Sequence, residues 1–298
     1  MGVVPQEHGS GKVIVVDLNQ TMIATMMAQI GNHTNVPIDE DMFRHMVLNV
    51  LRSYRVKFKE YGEIVIACDD KKSWRREQFP LYKANRKKNR EESELDWGAI
   101  FHCLNTVKDE LKNYFPYRVV HVESAEADDV IATLCMRFGS ILATKEKILI
   151  LSGDKDFVQL HVYSNVEQFD PVNKRFIKNA DPHQYLREHI LKGDRGDGIP
   201  NILSPDSCLV DGERQKPLRA DKLALWTSTP DLQKILTEEQ YMRFKRNEML
   251  IDLHNIPQHL QDEIHDQYEA EGGKKRDRLF QYFIDHKLKY LMEHISEF

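Results

Sequence analysis

Short, nearly continuous apolar runs alternate with stretches of helical periodicity in the first half of the chain. The runs cover residues 12–16 (KVIVV), 63–68 (EIVIAC), 117–122 (YRVVHV) and 147–152 (KILILS). Apolar runs without polar alternation are typical of strands that are covered on both faces. Because such strands alternate here with helical stretches, the pattern predicts an α/β fold with a parallel sheet flanked by helices.

The pattern of apolar residues changes in the second half of the chain, because helical spacing dominates after Gly193. Two helices are predicted at about 258–270 and 276–295. The apolar residues predicted to face a core here are Ile235, Tyr241, Phe244 and Leu250. This change of pattern predicts an α/β domain followed by a helical part.

Composition limits what a chain of 298 residues can be. We divide it into a flexible tail at 1–11, an α/β domain at 12–180 and a helical part at 181–298. No run of about 18 apolar residues occurs, so no membrane-spanning helix is predicted. The four cysteines lie far apart, which favours reduced thiols in a cytosol over a zinc site. The thirteen histidines form no His-Glu-x-x-His motif, and we assign none of them to a metal site.

Three acids follow predicted strands directly or within a residue or two, namely Asp17, Asp69 and Asp154. In open α/β sheets, sites form in the crevice at the carboxyl ends of the strands, so we expect these carboxylates to converge. Taken singly, such acids are also found as ordinary helix-N-terminal or turn residues. Six further candidates open a predicted helix, follow the fourth strand or lie in a Gly-rich turn: Glu126, Asp128, Asp129, Asp156, Asp194 and Asp197.

Nine carboxylates in one crevice would repel one another and be driven toward protonation. Bound divalent cations reverse this penalty, because they place positive charge among the oxygens. Oxygen ligands without Cys or His favour a hard ion such as Mg²⁺ or Mn²⁺. The pattern therefore predicts a metal centre built from carboxylates.

A basic segment follows the second predicted strand. Residues 71–90 include nine Lys or Arg and a single acid. Lys and Arg neutralise phosphates, and the interleaved Trp74, Phe79 and Tyr82 offer faces for stacking on bases. This composition predicts nucleic-acid binding, with an ordinary solvated helix surface as the alternative. The cations expected to contact nucleic acid are Arg75, Arg76, Lys87, Lys88 and Arg90.

Four motifs occur in an order and spacing that resemble the 5′-nuclease (flap endonuclease) family. They are 125–131 (AEADDVI), 152–157 (SGDKDF), 193–200 (GDRGDGIP) and the Tyr-Lys-x-x-Arg motif at 82–86. The resemblance covers nearly the whole chain and extends to the ribonuclease H branch of this family in T-even bacteriophages.

This resemblance implies a PIN-like (resolvase-like) nuclease domain with a helical arch at about 71–95, and a DNA-binding helix-three-turn-helix in the helical part. It implies a 5′-3′ exonuclease and flap endonuclease with ribonuclease H activity, which removes RNA primers and adjacent DNA from lagging-strand fragments during phage DNA replication. The partners it implies are 5′-flap or forked DNA, RNA–DNA duplexes, a single-stranded-DNA-binding protein and a sliding clamp. We expect a monomer in the cytoplasm of the host bacterium.

Carried over residue by residue, the resemblance implies two metal clusters, holding two Mg²⁺ ions or Mn²⁺ as a substitute. The first cluster contains Asp17, Asp69, Asp128 and Asp154 with Glu126 and Asp129 alongside, and the second contains Asp156, Asp194 and Asp197. Lys83 and Arg86 match arch residues at the scissile phosphate, and we assign Tyr82 to the same catalytic group. Without the nine acids the formal net charge would change from −5 to +4, so a metal-loaded protein attracts DNA.

Two stretches depart from the family pattern. The sequence of 201–214 replaces a Gly-rich hairpin, which leaves the duplex contacts there unassigned, and Gly198 stands where the family often has Asn. Two other functions remain as alternatives, a catalytically silent protein that binds branched DNA and a single-stranded ribonuclease of the PIN type. The complete set of acids argues against the first, and the long basic segment with the helical part argues against the second.

Overall fold

The computed structural model describes residues 12–30, 38–142 and 146–298, with the backbone alone at 29, 30 and 87–89. The predicted tail at 1–11 lies outside the described residues. None of the helices in the described part of the chain is both long and apolar enough to cross a membrane.

One sheet forms the centre of the molecule. Its strands are β1 (Val13–Asp17), β2 (Glu63–Ala67), β3 (Arg118–Val120), β4 (Ile148–Leu151), β5 (Val166–Asp170) and β6 (Arg175–Ile177). They lie in the order β3-β2-β1-β4-β5-β6, and all neighbours are parallel except β5 and β6. The predicted α/β fold is confirmed, and the first four strands lie within two residues of their predicted ends. The antiparallel edge formed by β5 and β6 was not predicted.

Helices cover both faces of the sheet. In the described residues they are α1 (Leu18–Ile30), α2 (Glu40–Lys57), α3 (Trp74–Gln78), α4 (Ala84–Glu91), α5 (Trp97–Tyr114), α6 (Ala127–Phe138), α7 (Pro182–Lys192), α8 (Ala220–Ser228), α9 (Glu238–Ile251), α10 (Gln258–Ala270), α11 (Leu279–Asp285) and α12 (Lys289–Glu293). Side chains of β1 alternate between two apolar cores, with Ile14 and Val16 in one and Val13 and Val15 in the other. This alternation explains why the strands read as continuous apolar runs.

The C-terminal helices complete these two cores and add a third. Helices α11 and α12 pack with α1, α2 and α5, whereas α10 packs with α6 on the opposite face. Helices α7, α8 and α9 enclose a separate apolar cluster that includes Phe244 and Leu250, as predicted, while Ile235 is exposed. The helix predicted at 276–295 is divided instead, because Lys287 has a positive φ of 54° and ends its first half.

The basic segment is anchored to the third apolar cluster. Phe79 and Tyr82, which lie between α3 and α4, are buried against residues of α7, α8 and α9. The segment therefore connects the carboxyl end of β2 with the helical part, which determines where its cations point.

Candidate active site

Five predicted acids line a single cavity of about 780 Å³ at the carboxyl ends of the strands. Asp17 ends β1, Asp69 follows β2, and Asp154 follows β4. Glu126 and Asp128 come from the start of α6, which the chain enters after β3. The parallel topology thus brings together side chains that are far apart in the sequence.

Hydrogen bonds hold the first of these carboxylates in place. Asp17 accepts from the backbone N–H of Gln20 at 3.0 Å. Asp69 accepts from the Asn19 amide at 2.6 Å and from the backbone N–H of Ala127 at 2.7 Å. These bonds fix the two carboxylates against the cavity wall.

The electrostatics of this group fit a site for divalent cations. Burial, together with the charges of Asp69 and Asp154, raises the pKa of Asp17 to about 7. Burial and the charge of Asp154 hold the pKa of Asp128 well above its usual range. Added positive charge would stabilise the ionised forms of these crowded carboxylates, and oxygen donors are those that hard cations prefer. The residues present therefore suit such an ion.

A second group lies beside the first and includes a histidine. The His189 ring places Nδ1 3.4 Å from Asp156 and Nε2 3.3 Å from Asp194. One donor atom from each of the three residues lies within 4.8 Å of the others. Burial and the charge of Asp154 raise the pKa of Asp156 to about 7, with His189 acting in the opposite direction. This differs from our prediction, which assigned no histidine to the site.

A signal for His189 was present in the sequence. The residue lies in the last turn of α7, which leads directly into the Gly-rich turn carrying Asp194. The last turn of α7 is therefore close in sequence to that acid.

Tyr82, Lys83 and Arg86 contact two of the predicted acids. Lys83 Nζ lies 2.6 Å from Glu126 and 3.5 Å from Asp197, and Arg86 lies 2.5 Å from Asp197. The Tyr82 hydroxyl lies 2.8 Å from Glu126 and 2.9 Å from Asp197. Burial raises the pKa of Glu126, but Lys83 and Arg75 outweigh it and lower that pKa to about 2. Asp197 thus contacts the arch cations Lys83 and Arg86, whereas our prediction grouped it with Asp156 and Asp194.

The Gly-rich turn and the base of the arch are in direct contact. The Lys83 N–H donates to the Asp197 carbonyl at 2.7 Å, and Lys83 itself has a positive φ of 55°. Gly198 has a φ of +73°, and a Cβ there would lie 3.0 Å from the Leu81 carbonyl oxygen. A glycine at this position therefore permits both the left-handed turn and the close approach.

Two protein-family models together match residues 12–298 of the chain. The sequence model of the 5′-3′ exonuclease N-terminal resolvase-like domain matches residues 12–189, and that of the T4 RNase H C-terminal region matches 182–298. Ribonuclease H of Enterobacteria phage T4 is 34% identical over 296 residues, which cover 96% of this chain and 95% of that protein. The chain belongs to the 5′-3′ exonuclease family.

Other proteins match a smaller part of the chain or its fold alone. Flap endonuclease Xni of Shewanella sp. (strain MR-4) is 33% identical over 141 residues, which are 45% of this chain and 49% of that protein. The bacteriophage T5 D15 flap endonuclease was crystallised as a pseudo-enzyme–product complex with DNA and metal ions. Its fold superposes with a TM-score of 0.61 at 18% identity, over 87% of this chain and 97% of that chain.

Two predicted site residues of this 5′-nuclease form a buried ion pair behind the cavity. Asp129 is fully buried and lies 2.8 Å from Arg75, which is itself only 3% exposed. Asp129 also accepts from the Trp74 indole and from the backbone N–H of Glu126, and Arg75 donates to the Leu250 carbonyl. Asp129 is therefore not a cavity ligand and Arg75 does not reach nucleic acid. Both predictions are corrected, because the pair holds the arch to α6.

The aromatic residues of the basic segment are buried as well. Trp74, Phe79 and Tyr82 are at most 5% exposed. Their rings are therefore not accessible for the stacking on bases that we predicted. Tyr82 acts instead through its hydroxyl, which keeps Glu126 and Asp197 in place. Among the other predicted contacts, Arg76 and Arg90 line the cavity. The side chains of Lys87 and Lys88 lie outside the described residues.

Proposed function

We propose that this chain is a divalent-metal-dependent 5′-nuclease, a 5′-3′ exonuclease and flap endonuclease with ribonuclease H activity. The observation that carries the proposal is one cavity in which five of the predicted carboxylates meet the cations of the arch. The family membership and the similarity to phage T4 ribonuclease H over nearly the full length support it.

The cofactor that we propose is a pair of Mg²⁺ ions, with Mn²⁺ as a substitute. When bound, such ions lower the pKa of water and supply positive charge at the phosphate. Asp17, Asp69, Asp128 and Asp154 would hold the first of them. Hydrogen bonds from N–H groups hold Asp17, Asp69 and Asp154 in place. We assign all four carboxylates the roles of ligands and water-orienting groups, not of covalent nucleophiles.

The arch residues perform the remaining steps. Lys83 and Arg86 bring positive charge to the phosphate and draw the 5′ strand toward the acids. Glu126 and Asp197 position these two cations. The Tyr82 hydroxyl in turn holds both carboxylates in place. We therefore assign Tyr82 a positioning role, while Lys83 and Arg86 contact substrate.

For the second ion we propose Asp156, His189 and Asp194 as the binding group. An imidazole ligand favours Mn²⁺ and other transition ions relative to Mg²⁺. Replacing His189 with Ala is expected to weaken Mn²⁺ binding at one of the sites by at least about tenfold, because a nitrogen donor is lost. Isothermal titration with Mn²⁺ measures this directly. The matched control is His183→Ala, since His183 lies exposed on the same helix.

Two results of that titration would contradict the assignment. Unchanged binding in the His189→Ala protein would mean that the ring does not contact the ion. Tighter binding would mean that the ring acts as a competing cation between Asp156 and Asp194.

The biological role follows from the proposed activity. Removal of RNA primers and adjacent DNA from lagging-strand fragments requires cutting at 5′ ends in the cytoplasm of the host bacterium. We propose 5′-flap or forked DNA and RNA–DNA duplexes as substrates, a single-stranded-DNA-binding protein and a sliding clamp as partners, and a monomeric enzyme. The helix-three-turn-helix within 181–298 is the proposed contact for duplex DNA.

A panel of substrates in Mg²⁺ tests this function. A 5′-flap DNA, an RNA–DNA duplex and a single-stranded RNA are incubated separately with the protein, and products are mapped from a 5′ label. We expect release of flaps near the junction and of RNA from its 5′ end, with little cutting of the single-stranded RNA. Preference for the single-stranded RNA would favour the PIN-type ribonuclease, and flap binding without any cleavage would favour the silent binding protein.

A further inference from the structure

Two acids of the proposed first metal group lie at the end of the ladder that joins β1 and β4. The parallel pairing of these two strands ends at Val16 and Leu151, and the residues that follow this pair are Asp17 and Ser152. Asp154 comes two residues later, in the loop after β4. The ladder therefore does not itself set the distance between the carboxylates of Asp17 and Asp154.

The side chain of Gln20 bridges this gap. Its Oε1 atom accepts from the Gly153 N–H at 2.6 Å and from the Ser152 hydroxyl at 3.0 Å. Because the Gly153 N–H can only donate, the oxygen of the carboxamide and not its nitrogen must face the loop. The Gln20 backbone N–H donates to Asp17 at 3.0 Å. One residue of α1 therefore contacts both Asp17 and the loop that carries Asp154.

Gln20 lies at the helix position where a capping box has its second member. In such a box the third helical residue turns its side chain back to the N–H of the capping residue. Asp129 does this at the start of α6, where it accepts from the Glu126 N–H. The spacing from Asp17 to Gln20 is the same, but the Gln20 carboxamide accepts from the loop after β4. A local helix-start pattern thus serves here as a link between two strands.

The other bonds of this loop hold it to β5 or to itself. The Ser152 N–H donates to the Phe169 carbonyl at 3.2 Å, and the Asp154 N–H donates to the Ser152 hydroxyl at 3.1 Å. The Ser152 hydroxyl also lies 3.3 Å from Asp17, but its single hydrogen has the shorter contact with Gln20. Within the described residues, the Gln20 carboxamide is thus the main hydrogen-bonded link from this loop to the segment that carries Asp17.

We infer that Gln20 is a positioning residue, which sets the distance between the carboxylates of Asp17 and Asp154 for the first ion. This inference rests on the proposed function, because it concerns an ion that serves the cleavage reaction. A neutral carboxamide suits the role, since it accepts two hydrogen bonds without adding a negative charge to a crowded group of acids. Groups that hydrogen-bond around the ligands of a metal orient them and raise the affinity for the ion.

The test is isothermal titration of the metal-free protein with Mn²⁺, without any nucleic acid. Gln20→Met keeps the length of the side chain but removes the acceptor, and it is expected to weaken one of the Mn²⁺ sites by about tenfold. Gln20→Glu keeps an acceptor for the Gly153 N–H and should bind Mn²⁺ at least as tightly as the unmodified protein. The matched control is Gln233→Met, which should change nothing, because Gln233 is exposed and does not line the cavity.

Two further measurements separate this role from a general effect on the fold. Gln20 and His189 belong to different proposed metal groups, so the losses of Gln20→Met and His189→Ala should add in the double variant. In single-turnover cleavage of a 5′ flap, Gln20→Met should need more Mn²⁺ for its half-maximal rate and should approach the normal rate at saturating Mn²⁺, because all the ligands are still present. A purely structural role would lower the melting temperature in chelator and leave the affinity for Mn²⁺ unchanged.

Unchanged Mn²⁺ affinity in Gln20→Met would overturn the assignment, because the bridge would then not set the two carboxylates. An equal loss in Gln20→Glu would overturn it as well, since the acceptor would not be the group that matters. If Gln20→Met does not fold, Gln20→Asn gives the same readout, because its carboxamide is one methylene shorter. Loss of Mn²⁺ affinity in a protein whose unmodified form cleaves no flap would support the role of Gln20 and remove the proposed function alone.

Discussion

Asp128→Asn is expected to lower single-turnover cleavage of a 5′-flap by roughly a thousandfold, which is about 4 kcal/mol of transition-state stabilisation. Asparagine has nearly the same size but lacks the negative charge that attracts a divalent ion. Asp128 lines the cavity. Burial raises the pKa of this carboxyl, and the negative charges of Asp154 and Asp17 raise it further. Removing one negative charge from this crowded group relieves repulsion, so flap affinity should hold or rise.

The measurement for Asp128→Asn combines a single-turnover rate at saturating enzyme with the enzyme concentration at half-saturation. Asp109→Asn is the matched control, because Asp109 is an exposed acid on α5 that does not line the cavity. It should cleave at the normal rate. Near-normal cleavage by Asp128→Asn would mean that this carboxylate is not a ligand.

Lys83→Ala is expected to reduce the same rate by about a hundredfold or more, because a positive charge at the phosphate is lost. Duplex affinity should change little, since the proposed duplex contacts lie in the helical part. Glu126 keeps Tyr82 and Arg75 as partners, so the fold of the site should persist. Lys83→Arg retains the charge and should recover part of the rate.

The comparison for Lys83 is Arg76→Ala, in the same basic segment. Arg76 is exposed, and the described residues offer it no carboxylate partner. This change should weaken binding slightly, and high salt should erase the difference. If Lys83→Ala behaves in the same way, with an unchanged rate at saturating enzyme, the arch is only a general electrostatic attraction.

The sequence was informative where one physical rule dominates. Near-continuous apolar runs indicated buried parallel strands, and the acids after them had to lie at one edge of the sheet. Strand β5 has the sequence VEQFD, and its polar residues interrupt the apolar run by which a buried strand is recognised. Its stability depends on tertiary contacts instead, since the Gln168 amide donates to the Ser152 carbonyl at 3.0 Å and the Asp154 carbonyl at 2.5 Å. The same bonds fix the loop that carries Asp154.

Neighbouring residues of the same type were harder to separate. Arg75 and Arg76 cannot be distinguished from the sequence, because their helix of five residues is too short for periodicity to indicate its buried side. Asp128 and Asp129 also read alike, although the spacing from Glu126 to Asp129 is that of a capping box. The Glu126 N–H does donate to Asp129 at 2.8 Å. That spacing could have marked Asp129 as a structural residue.

The metal requirement of flap cleavage tests the central claim most directly. A 5′-labelled flap substrate is incubated with the protein in Mg²⁺, in Mn²⁺ or in excess chelator, while circular dichroism follows the fold. We predict short 5′ products from the junction with either ion, and no products in chelator although the spectrum is unchanged. Undiminished cleavage in excess chelator would contradict a nuclease whose chemistry depends on cations held by these carboxylates.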